Sequence, residues 1–435
     1  MFRRDVLSAQ PDRLYRAKMA EMRTWFFRSV MPNEPVLVRR ILVERAGQYP
    51  KSRRVAEGLR PLLGRSVFLT NGEVWARQRR IIDPAFETAG VRAAFPALLA
   101  AGQAGVARIA HRQVEVEEFA SHLAADAIFR VMFSMPIGAP VAAEIYGDFR
   151  GFQRAQPLLN AGAFLPLPAW VPRGHARAAR AAARAIRARI AELVARRRAE
   201  IAAGTAPDDL ATRIMTARDP VTGEGFTPEE MVDQVAIFFL AGHETSAAAM
   251  GWALYLLATH PEAAARVAAE GRAFAADPAF RNLAGLRFTR DVFREALRLY
   301  PPVPMMVREA AEPDRLRDRE VARGTQVVVS LWHLHRNERL WPEPHGFDPD
   351  RWAREDAGGC PRGAFLPFSA GPRVCPGAAL AMVEGPLHLA LLLARWRVEA
   401  VPGRVPVPVA QLTVRSRDGI WLNFRERKRA LQPSL

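Results

Sequence analysis

Cys375 is one of only two cysteines in 435 residues, and it lies in the run FSAGPRVCPG from Phe368 to Gly377. Gly371 precedes the sulfur by four residues and Gly377 follows it by two, so backbone without Cβ atoms can wrap tightly beneath a bulky group. From Pro376 the apolar stretch PGAALAMVEGPLHLALLLARW predicts a helix with proline at its start. The thiol is therefore expected at a helix N-terminus, where free N–H groups and the macrodipole favour the thiolate, the form of sulfur that binds metals. A lone cysteine is more often a buried core thiol. The flanking pattern sets this one apart.

A second group of reactive residue types is AGHETS, Ala241 to Ser246, inside a long helical run. Glycine in mid-helix costs about 1 kcal/mol relative to alanine, so Gly242 needs a reason, and the close approach of a ligand is one. Ala241 and Thr245 are four apart on one face, and the Thr245 hydroxyl can bond back to the Ala241 carbonyl and loosen the helix there. Glu244 supplies an acid able to pass protons inward through water. Taken alone, the same residues also describe an exposed polar turn. His243 lacks the second histidine of a zinc helix and reads as packed or exposed rather than ligating. His333 and His335, two apart in WHLHR, would share one face of a strand, but no nearby carboxylate or thiol completes a metal set. They read as structural, and Cys360 as a bystander.

The cysteine loop resembles that of the cytochrome P450 haem-thiolate monooxygenases, matching at Phe368, Gly371, Arg373, Cys375 and Gly377. Other stretches resemble the family in the expected order: Trp75 and Arg79 in GEVWARQRR, the AGHETS motif, Glu295 and Arg298 in REALR, and Arg351 in FDPDRW. The resemblance implies the mainly α P450 fold, a large helical domain with a small β-rich region. The haem b would lie between the 227–259 helix and the 368–395 loop and helix. Cys375 would be the axial thiolate of the iron, promoting O–O cleavage. Trp75, Arg79, Arg308 and Arg373 would contact the propionates, with Ala241, Gly242, Phe368 and Gly377 beside the cofactor. Thr245 and Glu244 would steer protons. Glu295, Arg298 and Arg351 would lock the core; without the family, Glu295 and Arg298 read as a surface ion pair worth under ~1 kcal/mol. Gln78, where the family often has histidine, is given no role.

The implied substrate pocket draws on Phe68, Leu69, Ile237, Phe238, Ala241, Val303, Met305, Met306, Leu412 and Thr413, all of which could equally be plain core. Its apolar lining implies an apolar small molecule, oxygenated with O2. Electrons would come from a ferredoxin or flavodoxin-type donor with its NAD(P)H reductase, and a basic patch of Arg77, Arg80 and Arg362 would suit an acidic ferredoxin. Two alternatives remain open: a peroxide-driven hydroxylase, and a haem-based gas sensor or carrier.

The elements that must hold these groups are mostly helices. Thr227, Pro228 and Glu230 spell a capping box for a helix ending near Thr259, ahead of His260-Pro261. Pro35 opens a helix through Val43; TWFFRSVM and TQVVVSLW read as strands; Arg417-Asp418-Gly419 reads as a hairpin turn. The stretch from 156 to 172 is apolar but broken by prolines, an expected lid that moves when substrate enters. The net charge is +17, yet 49% hydrophobic and 25% charged residues describe a globular chain. The basic run 173–201 carries Ile186, Ile190, Leu193 and Val194 at helical spacing and no interleaved aromatics, which reads as a solvated helix and excludes base stacking. No linker or repeat divides the chain, so one domain over 1–435 is expected. Two cysteines and a polar opening, MFRRDVLSAQPDRLY, suit a cytoplasmic protein. The longest apolar runs fall short of the roughly 20 residues of a membrane span, so no membrane anchor is expected.

Overall fold

The spine of the structure, a computed structural model, is the helix Pro228–Thr259. The structure describes residues 7, 11–23, 28–110, 112–155, 177–354, 361–410 and 412–427. Trp25, Cys360 and the expected lid at 156–172 lie outside them. The capping box forms: Glu230 N–H donates to Thr227 Oγ at 3.2 Å, and Thr227 N–H to the Glu230 carboxylate at 3.0 Å. Two donors at a helix end are thereby satisfied. At 1.5 Å per residue the helix runs about 48 Å. It is buried along most of its length by Val116–Phe133, Arg177–Ala202 and Arg287–Leu299.

The cysteine helix, Ala378–Arg395, packs between Thr88–Arg108 and Pro261–Ala276. By length and composition alone it could cross a membrane, but Glu384 to Leu393 are buried against these neighbours. The basic helix Arg177–Ala202 buries Ile186, Ile190, Leu193 and Val194 while its arginines reach acids on neighbouring helices, such as Arg187 to Asp233 at 2.7 Å. Pro35–Arg39 continues as a wider turn through Glu44, so the helix expected at Pro35 forms.

Strands are few. Met19–Arg23, Arg28–Pro32, Gln326–Ser330 and Met305–Glu309 make one sheet in that order, with Arg28–Pro32 parallel to Gln326–Ser330. A smaller core of Val30, Ile41, Tyr49 and Val327 backs it. Two local expectations change. The turn at Arg417 to Gly419 exists, with Gly419 at φ +77°, but it does not join a hairpin. Val414–Ser416 pairs with Pro408–Ala410, whereas Trp421–Glu426 pairs with Gln113–Glu115 and Trp396–Ala400. WHLHR is a helical turn, Leu331–Leu334, and not a strand, so His333 and His335 do not share a face. His333 Nδ1 meets Ser330 Oγ at 2.7 Å, and His335 Nε2 accepts the Leu366 N–H at 3.0 Å. Burial pushes the two imidazoles down to about 4 and about 3, so both stay neutral.

Glu295, Arg298 and Arg351 form a buried cluster rather than a surface pair. Arg298 grips both Glu295 oxygens at 2.7 and 2.9 Å, and Arg351 Nε donates to Glu295 Oε1 at 3.0 Å. The remaining guanidinium N–H groups go to the carbonyls of His335, Pro342, Pro344 and Gly346, which pins the segment after the sheet onto the helix Arg287–Leu299. Removing one partner of such a buried cluster leaves charge uncompensated, so Glu295→Gln is expected to destabilise the fold by about 3–5 kcal/mol in denaturant unfolding.

Candidate functional site

Cys375 leaves a tight turn in the geometry that its flanking residues require. Gly371 has φ +69°, and a Cβ there would lie 2.2 Å from the Leu42 carbonyl, so no other residue fits. The Cys375 N–H donates to the Phe368 carbonyl at 2.9 Å and closes the loop before the cysteine helix. A Cβ at Gly377 would stand 3.9 Å from Sγ, in ordinary van der Waals contact, so Gly377 borders the sulfur. The sulfur keeps an accessible face. Burial nevertheless pushes its thiol up, opposed by the Gly377 N–H and by Arg79. The helix terminus by itself does not make the thiolate; desolvation of the anion outweighs it, and a bound metal cation is what deprotonates such a thiol outright.

Arg79 bonds the Val374 carbonyl at 2.6 Å and pairs with Asp83 at 2.7 Å, which ties the helix Gly72–Ile82 to the cysteine loop. Arg373 donates to the Ala46 carbonyl at 2.6 Å, leaves its Nε buried without a partner, and lies 5.1 Å from the Trp75 ring. Arg308 is buried and bonds its neighbour's carbonyl; burial and Arg373 push it down to about 10. Lys51, unnoticed in the sequence, joins them 5.6 Å from Trp75. Burial, then Arg308, Arg373 and Arg79, push its ammonium down to about 6. Among the described residues Lys51, Arg308 and Arg373 have no ion pair with an acid. Lys51 Nζ donates to the Val67 and Thr70 carbonyls, and Arg308 and Arg373 remain cations near it; a dianionic group such as the paired propionates of haem would suit these basic residues and would return the proton to Lys51.

On the long helix, Thr245 Oγ donates to the Ala241 carbonyl at 2.6 Å. Ala241 is exposed and Thr245 half-buried, an accessible strip on an otherwise buried stretch. Gly242 faces the helix Val116–Phe133, where a Cβ would sit 2.9 Å from Ile128 Cδ1, so close helix packing gives a second reason for glycine here. His243 is packed, with Nδ1 2.9 Å from the Phe239 carbonyl. Glu244 is not a free acid. Its Oε1 accepts from Thr413 Oγ at 2.9 Å and from Arg415 Nε and Nη2 at 2.9 and 2.6 Å, and its other oxygen accepts from Gln153. Thr413 thus spends its hydroxyl on Glu244. Ser246 donates to Glu384 of the cysteine helix at 2.8 Å.

Of the expected pocket residues, Leu69, Ile237 and Phe238 are buried, Phe238 against Phe86. Met305 and Met306 pair with Ser330 and Val329 in the sheet, and Leu412 lies against the main core. Phe68 and Val303 are exposed. Of the expected docking patch, Arg77 pairs with Glu230 at 2.8 Å and Arg80 with Asp219 at 2.6 Å, while Arg362 is exposed. Lys51, Gln153, Glu384 and Arg415 escaped the sequence reading because single polar residues far apart in the chain carry no periodic signal.

The family model for cytochrome P450 matches residues 14–422. The chain belongs to the cytochrome P450 family. It is 34% identical over 402 residues to the Cyclooctat-9-en-7-ol 5-monooxygenase of Streptomyces melanosporofaciens, covering 88% of this chain and 83% of that one. Cyclooctatin synthase from the same organism is 34% identical over 397 residues, with the same shares covered. Human cytochrome P450 4A11 is 38% identical over 207 residues, 47% of this chain and 40% of that one. The crystal structure of the cytochrome P450DA heme domain superposes with a TM-score of 0.81 at 24% identity, over 94% of this chain and 90% of that one, which shows the shared fold. This P450 is therefore a monooxygenase of a haem-iron family, and the cation set and the thiol described above fit that cofactor.

Two outcomes are expected at the site. Beside the propionates Lys51 would regain its proton, so Lys51→Gln is expected to let haem pass about tenfold faster to a haem-scavenging protein, the loss of one charge-assisted hydrogen bond. Glu384 is fully buried, and burial raises its carboxyl to about 7 against the opposing Ser246 bond. The folded state therefore holds a proton that the unfolded state releases, so this contribution to stability is complete below about 4.5 and is lost as pH rises through about 7. Glu384→Gln is expected to remove part of the fall in melting temperature over that interval.

Proposed function

We propose that this P450 would hold haem b through the Cys375 sulfur and inserts one oxygen atom of O2 into an apolar small molecule. The observation that carries this reading is the pairing of an accessible thiol on a glycine-bordered loop with basic side chains that have no acid partner among the described residues. Bound there, haem supplies the activation of dioxygen needed to oxidise an unactivated C–H bond or a double bond. The chain's own residues do the rest. Trp75, Arg79, Arg308, Arg373 and Lys51 hold and orient the propionates, and Phe368 and Gly377 shape the loop around the sulfur. Thr245, bonded to the Ala241 carbonyl, holds a hydroxyl where a proton must enter, and Glu244 is the nearest acid on the same helix. Leu69, Ile237, Phe238, Met305, Met306 and Leu412 exclude water from the substrate side.

The substrate class follows from those side chains together with the relatives. A largely hydrocarbon, cyclic molecule suits an apolar lining held by shape, and the Streptomyces relatives bear the names of enzymes for cyclooctatin-type compounds. Electrons come from a ferredoxin or flavodoxin-type donor and its NAD(P)H reductase.

The test is spectral. The reduced, carbon monoxide-treated protein is expected to show the red-shifted Soret band of thiolate ligation, and Cys375→Ser is expected to abolish it while the protein stays folded. An unshifted band in the wild-type protein, or a shifted one in the variant, rules the ligand assignment out.

A further inference from the structure

Of the 62 basic residues in the chain only Lys18, Lys51 and Lys428 are lysines; the rest are arginines, which do not give up their proton. Lys51 stands among arginines at the cation set and is clamped at its backbone and at its amine. Its N–H donates to Asn71 Oδ1 at 3.0 Å, the Asn71 amide donates to its carbonyl at 3.2 Å, and it forms an antiparallel bridge with Arg308. Its Nζ donates to the Val67 carbonyl at 2.5 Å and to the Thr70 carbonyl at 3.1 Å. Gln78, where the family often has histidine, serves the same loop: its amide donates to the Arg65 carbonyl at 2.8 Å and accepts from Thr70 Oγ at 2.5 Å.

An ammonium has three N–H groups to donate and a neutral amine two. The Val67 and Thr70 carbonyls occupy two. Among the described residues a third has no acceptor, and the charged groups that face Nζ are all cations: Arg308 on the strand Met305–Glu309, Arg373 on the cysteine loop and Arg79 on the helix Gly72–Ile82. Glu309, the next residue after Arg308, accepts instead from the Arg53 N–H at 3.4 Å and from Gln326 at 3.3 Å. Burial away from acids and repulsion by guanidiniums both disfavour a charged amine. With the chain's own groups around it, Lys51 is therefore neutral above about 6 and still keeps both carbonyls.

We propose that Lys51 takes up a proton together with haem, so that the third N–H of its ammonium serves a propionate while the other two keep hold of the loop at Val67 and Thr70. The proton comes from solvent and the amine gains one positive charge beside two carboxylates. Each nearby carboxylate favours the charged amine by about one to three pH units. Below about 6 Lys51 is charged with or without the cofactor, and no proton moves. Above that value binding requires the uptake, so the Lys51 contribution to haem affinity falls about tenfold per pH unit until the raised value is passed. Retention of the cofactor thereby depends on pH through a residue outside the cysteine loop. The inference rests on the haem reading proposed above.

The experiment is a pH series of haem competition that starts from the holoenzymes. Wild type, Lys51→Gln and Lys51→Arg are each equilibrated with a haem-scavenging protein from about pH 6 to about pH 8. Ratios of affinity between them cancel the scavenger and the Cys375 thiol, which all three share. The ratio of wild type to Lys51→Gln is expected to fall about tenfold per pH unit, and the ratio of Lys51→Arg to Lys51→Gln to stay flat, because a guanidinium is charged throughout. A flat wild-type ratio overturns the proposal. A second readout uses the ferrous carbon monoxide holoenzyme with carbon-13-labelled lysine, whose few lysine resonances leave Lys51 assigned as the one missing from Lys51→Gln. That resonance is expected to be that of a charged amine near neutral pH, and a neutral amine there overturns the proposal. A wild-type protein without the red-shifted carbonyl band overturns the Cys375 assignment instead, and the affinity ratio still decides the part played by Lys51.

Discussion

A helix that crosses an apolar core cannot leave its polar side chains unpartnered, because each orphaned group costs about 1–3 kcal/mol. That constraint organises this P450. The long helix carries Gln234, His243, Glu244, Thr245 and Ser246, and they are answered from four places: Gln234 from the loop at Val67, His243 and Thr245 from the helix's own carbonyls, Glu244 from the strand at Arg415 and Ser246 from the cysteine helix at Glu384. The residues closest to the chemistry are therefore also the ones that staple the walls of the site together.

The same logic, with its sign reversed, applies at the cation set. Arg298 and Arg351 spend their charge on Glu295 and on backbone carbonyls, and they lock the structure. Among the described residues Lys51, Arg308 and Arg373 have no acid to spend theirs on, and burial lowers the values of all three. Basic side chains held without an acid suit an anion from outside the chain. That contrast separates the cations that stabilise the fold from the basic residues that suit a ligand.

Much of the architecture was legible in the sequence where a local rule has no competitor. The capping box at Thr227, the apolar face of the basic helix and the strand before Leu331 form as their patterns require. Local rules failed where a partner from elsewhere intervened. The strands around Gly419 were drawn apart by Gln113–Glu115 and Pro408–Ala410, and WHLHR turned into a helix on the sheet's edge. At Gly242 the packing of Ile128 adds a reason for glycine that the sequence did not show.

The sequence by itself determined the types and the order of the reactive groups: a cysteine between two glycines, a threonine four residues from an alanine, a glutamate three from an arginine. These follow from spacing along one segment, which a helix or turn converts directly into proximity. Only the tertiary structure decided the electrical state of those groups. Whether Cys375 is a thiol, whether Glu244 is free or clasped by Arg415, and whether Arg77 is available all depend on residues distant in the chain, since desolvation and Coulomb attraction act through space and leave no mark on sequence periodicity.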